Sequence, residues 1–369
     1  MAVLRQFWKK ETVLCIAFPA AVITMFFVPP SEAYRNYIDW RVLGLLWSLM
    51  AVVALLRKSG FFDRLTAKLL SGNKNARMLS LLLVMLPFFS SMVVTNDVAL
   101  LTFVPFTVGL LSAAGQRRRI LPMLILQNAA ANIGSMATPV GNPQNLFLYA
   151  RYTMTPGSFF SAVLPWAGAG LVILSALAMF VLPRHMTAPA SENAPALPLR
   201  ELLAAGALFA VCLLSVFRVL AWYYAALAVL FALLALDRKL LREPDYALLL
   251  TFVCFFVFSG NLGRMDTVRQ LLQRLLERDA MLTTALASQV ISNVPAAVLL
   301  SGFTGNGTAL LIGADLGGFG TPVASLASLI TMKLFFRSDG ADKGKFILWF
   351  MVFNVVMLAL FLGAAEILC

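Results

Sequence analysis

NIGSMATPVGNPQN, residues 132–145, is the stretch on which the reading turns. It lies inside an apolar run, about 118–150, long enough to cross a bilayer, yet it carries three asparagines, a glutamine, two glycines and two prolines. Gly134 and Gly141 weaken a helix, Pro139 and Pro143 each remove a backbone donor, and Pro143 pushes Asn142 out of the helical region. A helix here must unwind. Unwinding frees carbonyls at the C-terminal end of one half-helix and N–H groups at the N-terminal end of the next, which suit a cation and an anion respectively. Asn132, Ser135, Thr138 and Asn142 add side-chain oxygens and donors. The plain alternative is a kink for packing, because Gly and Pro are commoner in membrane helices than in soluble ones.

The whole chain agrees with a membrane setting. Its 369 residues are 60% hydrophobic and 12% charged, with a mean hydropathy of +0.86, outside the range of soluble domains. The net charge of +12 is spread over short basic clusters between apolar runs, the pattern of cytoplasmic loops and not of a nucleic-acid surface. Cys15, Cys212, Cys254 and Cys369 show no pairing or metal spacing, and the single histidine, His185, falls in a loop, so disulfides, zinc and haem are not expected. The basic, then apolar, N-terminus reads as a first span and not as a cleaved signal.

Spans of about 20 apolar residues are expected near 12–30, 40–56, 118–150, 158–182, 201–217, 220–236, 246–261, 308–335 and 346–367. Two further apolar regions, 78–113 and 280–303, are interrupted by Thr95-Asn96-Asp97 and Ser292-Asn293-Val294. Each reads as a re-entrant hairpin with a polar tip at mid-membrane, where only protein or a water-filled cavity can satisfy the backbone. Two close-packed full spans joined by a polar turn is the alternative. With the N-terminus inside, most Lys and Arg, including Lys9, Lys10, Arg57, Lys58, Arg117, Arg118, Arg119, Arg238, Lys239, Lys343 and Lys345, fall on the cytoplasmic side, as the positive-inside rule requires. The hairpins then open in opposite directions.

Opposed hairpins imply an inverted repeat, and the sequence carries one. NIGSMATPVGNPQNL aligns without gaps on DLGGFGTPVASLASL, residues 315–329, with Gly134/Gly317, Thr138/Thr321, Pro139/Pro322, Val140/Val323 and Leu146/Leu329 identical. Upstream, TNDV at Thr95 pairs with SNVP at Ser292, and DWRVLGLL at Asp39 parallels DYALLLTF at Asp245. An odd number of spans separates the two starts, so the copies are inverted. The expected fold is an all-α polytopic membrane protein with two inverted-topology repeats, two re-entrant hairpins and two broken helices. Its units are 1–183, a linker and connecting span at 184–219, and 220–369. In the second copy Asp315, Thr321 and Ser325 occupy the break.

TNDVALLTFVPF, NIGSMATPVGNPQN, SQVISNVPAAVLLS and IGADLGGFGTPVASLASL resemble, over nearly the whole chain, the ion transporter superfamily. Its members include divalent anion to sodium symporters, citrate carriers, arsenite permeases and one type of sodium/proton antiporter. Within it the chain is similar to a compact branch of bacterial inner-membrane permeases. The resemblance implies a substrate site flanked by two coupling-ion sites, carried by a unit that moves against a scaffold, and a homodimer. By position it points to Thr95, Asn96 and Asp97 with Gly134, Thr138, Gly141 and Asn142, and to Ser292, Asn293 and Asp315 with Gly317, Thr321 and Ser325. The coupling ion, Na+ or H+, is expected near Asn96, Asp97, Asn293 and Asp315, with no other cofactor. Dicarboxylate symporters carry Ser-Asn-Thr at both tips, where this chain has Thr-Asn-Asp and Ser-Asn-Val. The acidic tip and the Asp-Leu-Gly turn at Asp315 look more like the arsenite permeases and antiporters.

No Lys, Arg or His falls in the mid-membrane stretches, so an anionic substrate would depend on half-helix N-termini, amide and hydroxyl donors and bound cations. Asp97 and Asp315 are the acids placed near the membrane centre, and an acid there is functional by default, capping of a half-helix being the alternative. The expected function is ion-coupled transport of a small carboxylate or oxyanion, or else proton-coupled cation antiport or metalloid export. An intramembrane enzyme lacks a catalytic set, and two opposed closed hairpins favour alternating access over a channel. Residues 57–77 read as a cytoplasmic amphipathic helix, 184–200 as a linker and 264–279 as an external interfacial helix.

Overall fold

A computed structural model describes residues 12–70, 75–182, 199–338 and 340–368. The described residues form helices throughout. The first group comprises α1 (Thr12–Phe27), α2 (Trp40–Lys58), α3 (Phe61–Leu70), α4 (Ala76–Ser90), α5 (Asn96–Ala113), α6 (Arg117–Met136), α7 (Pro143–Arg151) and α8 (Pro156–Ala178). Then follow α9 (Leu199–Val216), α10 (Trp222–Leu236), α11 (Tyr246–Leu262), α12 (Asp266–Arg278), α13 (Ala280–Ile291), α14 (Asn293–Leu300), α15 (Gly307–Leu316), α16 (Leu326–Phe336) and α17 (Lys343–Leu368). Six helical stretches among the described residues are long and apolar enough to cross a bilayer, among them α2, α5, α8, α9 and α17. Of the expected spans, 40–56, 158–182, 201–217, 246–261 and 346–367 fall on these stretches to within a few residues, 12–30 and 220–236 fall on the shorter α1 and α10, and 118–150 and 308–335 are each divided into two helices. α5 is long enough to cross, although the sequence reading makes its region half of a re-entrant hairpin. Most of the expected linker at 184–200 lies outside the described residues; its last two residues already belong to α9.

Local chemistry sets the boundaries. Asp39, Asn75, Asp245, Asp279 and Asn306 each accept a backbone N–H three residues on, the capping bond that starts a helix by satisfying one of its orphan donors. Thr155 and Ser158 form a reciprocal capping box ahead of α8. Where Asn142 precedes Pro143, the chain has extended dihedrals, φ −152° and ψ 158°, and the broken helix restarts.

Both breaks fall within the stretches that the sequence marks. α6 stops at Met136 and α7 begins at Pro143, while α15 stops at Leu316 and α16 begins at Leu326 after a short 3-10 turn, Pro322–Ala324. α6 is buried almost without interruption from Met123 to Met136, including Gln127, Asn128, Asn132 and Ser135, so its polar residues need partners within the protein. It packs against α4, α5, α8 and α16. α15 packs against α13, α14 and α8. The second limbs cross over: α7 lies against α14 and α15, and α16 lies against α5 and α6. That exchange brings the two breaks together at the centre of the molecule.

The two polar triplets differ in build. Thr95 precedes α5, 18 residues long and one of the helices able to cross a bilayer. Ser292 separates α13 and α14, of 12 and 8 residues, which rise only about 18 and 12 Å against a hydrocarbon core of about 30 Å. Ser292 itself takes φ 74° and ψ 153°, a region used almost only by glycine and costing roughly 1–3 kcal/mol for other residues.

Candidate functional site at the meeting of the two breaks

The centre is built by side chains far apart in sequence. Asn96, at the start of α5, donates from Nδ2 to Asn132 Oδ1 on α6 at 3.0 Å, and its backbone N–H reaches the Gly141 carbonyl at 3.3 Å. Ser325, at the start of α16, donates to the same Asn132 Oδ1 at 3.3 Å. One amide oxygen therefore ties the first polar triplet to both breaks.

Asn142 is the second hub. Its Oδ1 accepts the Asn145 N–H at 2.9 Å, capping α7, while its Nδ2 donates to Ser135 Oγ at 3.3 Å and to Asp315 Oδ1 at 3.2 Å. Gln144 Nε2 donates to Asp315 Oδ1 as well, at 3.4 Å. The Asp315 carboxylate, 5% exposed, thus sits at the N-terminal end of α7, where the helix dipole favours negative charge. Asp97 lies in the first turn of α5, a similar electrostatic position, but it also lines a cavity of about 860 Å³ together with Thr95, Val140 and Asn142. The same cavity is also lined by Arg57, Lys58, Lys239 and Lys333 along with Asp237, Glu243 and Asp245.

Several atoms in this centre are buried without a hydrogen-bond partner among the described residues: Asp97 Oδ1, Asn132 Nδ2, Asn145 Oδ1 and Asp315 Oδ2. Buried polar groups are nearly always paired. While other unpaired atoms are scattered among the described residues, these four lie on residues linked through Asn96, Ser135 and Asn142, which makes this cluster the candidate place for a ligand.

Not every residue singled out from the sequence joins this network. Thr138 donates to the Met92 carbonyl at 2.6 Å, holding the first break to the turn after α4. Thr321 is bonded through both its N–H and its hydroxyl to Gln289. Ser292 donates to the Ala324 carbonyl at 3.3 Å, and Asn293 Oδ1 accepts the Val294 N–H at 2.9 Å. The glycines serve close packing: a β-carbon on Gly134 would overlap the Phe88 carbonyl oxygen, one on Gly141 the Ser135 carbonyl oxygen, and one on Gly317 would lie 2.6 Å from the Gly313 oxygen.

Four participants are not legible as site residues in the sequence. Gln144 and Asn145 stand in the quoted stretch, and an amide at the start of an apolar helix was the signal available. Gln289 was not singled out, yet its amide binds the carbonyls of Gly317 and Phe319 at 2.9 and 3.0 Å and clamps the second break. Lys333 on α16 adds a cation to the cavity that reaches Asp97.

Apolar helices closed around a polar centre, with a cavity leading in from one face, define a multi-pass membrane transporter. The chain belongs to the citrate transporter (CitMHS) family, whose model matches residues 7–305. It is 30% identical over 363 residues to an uncharacterized transporter of Methanocaldococcus jannaschii, covering 97% of this chain and 99% of that one. To the inner membrane protein YbiR of Escherichia coli it is 31% identical over 318 residues, covering 84% of each. A silicon efflux transporter of rice, Oryza sativa subsp. japonica, is 33% identical over 168 residues, 44% of this chain and 34% of its own length.

Proposed function

We propose that the chain is an ion-coupled secondary active transporter of a small anion, a carboxylate or oxyanion, working by elevator-type alternating access across a bacterial inner membrane. The observation that carries it is the set of four unpaired atoms on Asp97, Asn132, Asn145 and Asp315. Leaving a buried polar atom unpaired costs roughly 1–3 kcal/mol. Three of the four are oxygens suited to a cation, and the Asn132 N–H suits an anion. The N-terminal ends of α7 and α16 meet the same centre and supply further donors for an anion.

In this proposal residues 1–183 and 220–369 are inverted copies joined through 184–219, and the N-terminus is cytoplasmic. The α4–α5 and α13–α14 pairs are hairpins entering from opposite sides; the shortness of α13 and α14 supports the second of them. The cavity beside Asp97 then opens to the cytoplasm, giving an inward-open state, its wall carrying Arg57, Lys239 and Lys333 against Glu243 and Asp245, with Lys58 paired to Asp237. Asp97, reached from the cavity, exchanges H+ with Na+ or carries H+ alone. Asp315, behind the Asn142 and Gln144 amides, holds the second ion site.

A second reading, export of a metalloid as a neutral hydroxy acid, is favoured by the likeness to the silicon efflux transporter and by the amide and hydroxyl character of the centre. A stabilisation screen separates the two, since a ligand that binds only the folded state raises its unfolding midpoint. Stabilisation by citrate or other carboxylates that grows with Na+ or with acidity supports anion symport. Stabilisation by arsenite or silicic acid alone supports the second reading, and none by any of these ligands or ions refutes both.

A further inference from the structure

Away from the centre, α8 and α17 form a wedge. They touch through Trp166 and Phe361, whose ring centroids are 6.4 Å apart. Toward the other end they diverge, and Leu177 and Phe180 face Trp349 and Phe353 across a cavity of about 930 Å³. α6 and α16 close its inner side, through Ile125 and Phe335 among others. Its outer wall is apolar and open: Phe180 is 79% exposed and Trp349 is 52% exposed.

The wide end of the wedge is charged. Arg117, Arg118 and Arg119, at the start of α6, and Lys345, in the first turn of α17, line it together with one acid, Asp342. The Asp342 carboxylate accepts the Lys345 backbone N–H at 2.9 Å and so caps α17. None of the four cations has an ion-pair partner among the described residues. Along α17 the chemistry changes in steps, from Lys345 to Trp349 to Phe353, each step of four residues rising about 6 Å. Cation, interfacial aromatic and apolar ring in that order follow the headgroup, interface and hydrocarbon layers of a membrane.

An occupant must be anionic at one end and apolar along the rest. A soluble anion satisfies the arginines but leaves the apolar cleft unfilled. A zwitterionic lipid fills the cleft but leaves the charge of the site, four cations against one acid, largely unmatched. We propose that this cleft binds an anionic phospholipid, with its phosphate among Arg117, Arg118, Arg119 and Lys345 and its acyl chains between α8 and α17. Basic pockets between membrane helices are suited to such headgroups. The site is separate from the cavity at Asp97, and its occupancy does not depend on what the transporter carries.

Native mass spectrometry of the purified full-length protein, titrated with phosphatidylglycerol or phosphatidylcholine in detergent, tests this. The wild type should retain phosphatidylglycerol at least tenfold more strongly. Arg117→Gln, Arg118→Gln and Arg119→Gln combined should weaken that retention about 100-fold, from the roughly fivefold per cation expected near a membrane surface. The single Lys345→Gln should weaken it about fivefold and serves where the triple variant does not fold. Arg238→Gln with Arg242→Gln, exposed basic residues away from the cleft, should retain the lipid like the wild type. Equal retention of both lipids, unchanged retention in the cleft variants, or equal loss in the Arg238 and Arg242 control overturns the assignment. Full displacement by millimolar inorganic phosphate does so too, since the cleft would then be a site for free anions.

Discussion

Removing the Asn142 side chain tests the centre at its most connected point. Asn142→Ala deletes the cap on α7, the 2.9 Å bond to the Asn145 N–H, which is worth about 1 kcal/mol. It also deletes the two donations to Ser135 and Asp315, at 3.3 and 3.2 Å. Side-chain bonds between membrane helices average about 0.6 kcal/mol and reach about 1.7, so the total loss of stability should be about 2 kcal/mol. The Asp315 bond matters beyond folding. If it fixes the carboxylate for an ion, its loss should raise the ion's half-saturation about 3- to 20-fold, the same 0.6–1.7 kcal/mol converted at 1.4 kcal/mol per factor of ten. Asn142→Asp keeps the cap, because Asp and Asn cap equally well, but sets a second carboxyl against Asp315. The assay is the unfolding midpoint of purified protein titrated with NaCl, with choline chloride holding the ionic strength, at roughly pH 6 and pH 8. A wild-type sodium and pH response in Asn142→Ala, accompanied by the loss in stability, would refute the reasoning and leave Asn142 a helix cap.

Further outcomes follow from the same geometry. Asp97→Asn should remove the ion- and pH-driven part of substrate accumulation in proteoliposomes while sparing passive exchange; unchanged accumulation would make Asp97 a structural cap. Gly134→Val should destabilise by about 1–3 kcal/mol or more because the overlap is with the Phe88 backbone, whereas Gly109→Ala, with open space around an added β-carbon, should stabilise α5 by about 0.5–1 kcal/mol in thermal unfolding. Cysteines at Gln116 and Thr153, in a background without other cysteines, should be labelled from opposite sides of the membrane; labelling from one side would break the inverted topology. The hydrogen bond from Lys58, at 2.7 Å, then the Lys239 N–H, hold the partly exposed Asp237 carboxyl below its usual range. Its contribution is therefore present at neutral pH and lost as pH falls through the folded-state value, so acidification should lower the unfolding midpoint of the wild type slightly more than that of Asp237→Asn, a difference that salt erases.

The sequence exposed what is local and hid what depends on the third dimension. Pro139, Pro143 and Gly141 announce the first break because they act on their own backbone, and α6 and α7 stop and restart around them. Helix ends such as Asp39 before α2 and Asp245 before α11 are likewise written locally as caps. The triplet at Thr95 was visible as polarity in an apolar run, and Asn96 does bond into the first break. The contact between Asn142 and Asp315 joins residues 173 positions apart and needs the crossing of α7 onto α15, which no periodicity reports. Thr321 aligns with Thr138 and both read as ligands, yet each hydroxyl bonds a backbone carbonyl, Gln289 in one case and Met92 in the other. Gln289 itself stood in a helix end with nothing local to distinguish it from a surface amide. The positive φ of Ser292 is a consequence of packing that a serine does not advertise.

The most direct measurement is uptake into proteoliposomes of a labelled carboxylate, citrate first because the family is described by it, under imposed Na+ and H+ gradients. An ion-coupled transporter centred on Asp97 and Asp315 should accumulate the label above equilibrium, with saturation, and lose accumulation in Asp97→Asn and in Asp315→Asn while both variants remain folded. Gradient-driven accumulation of the label that persists in both variants, with unchanged ion dependence, would contradict the assignment of the centre.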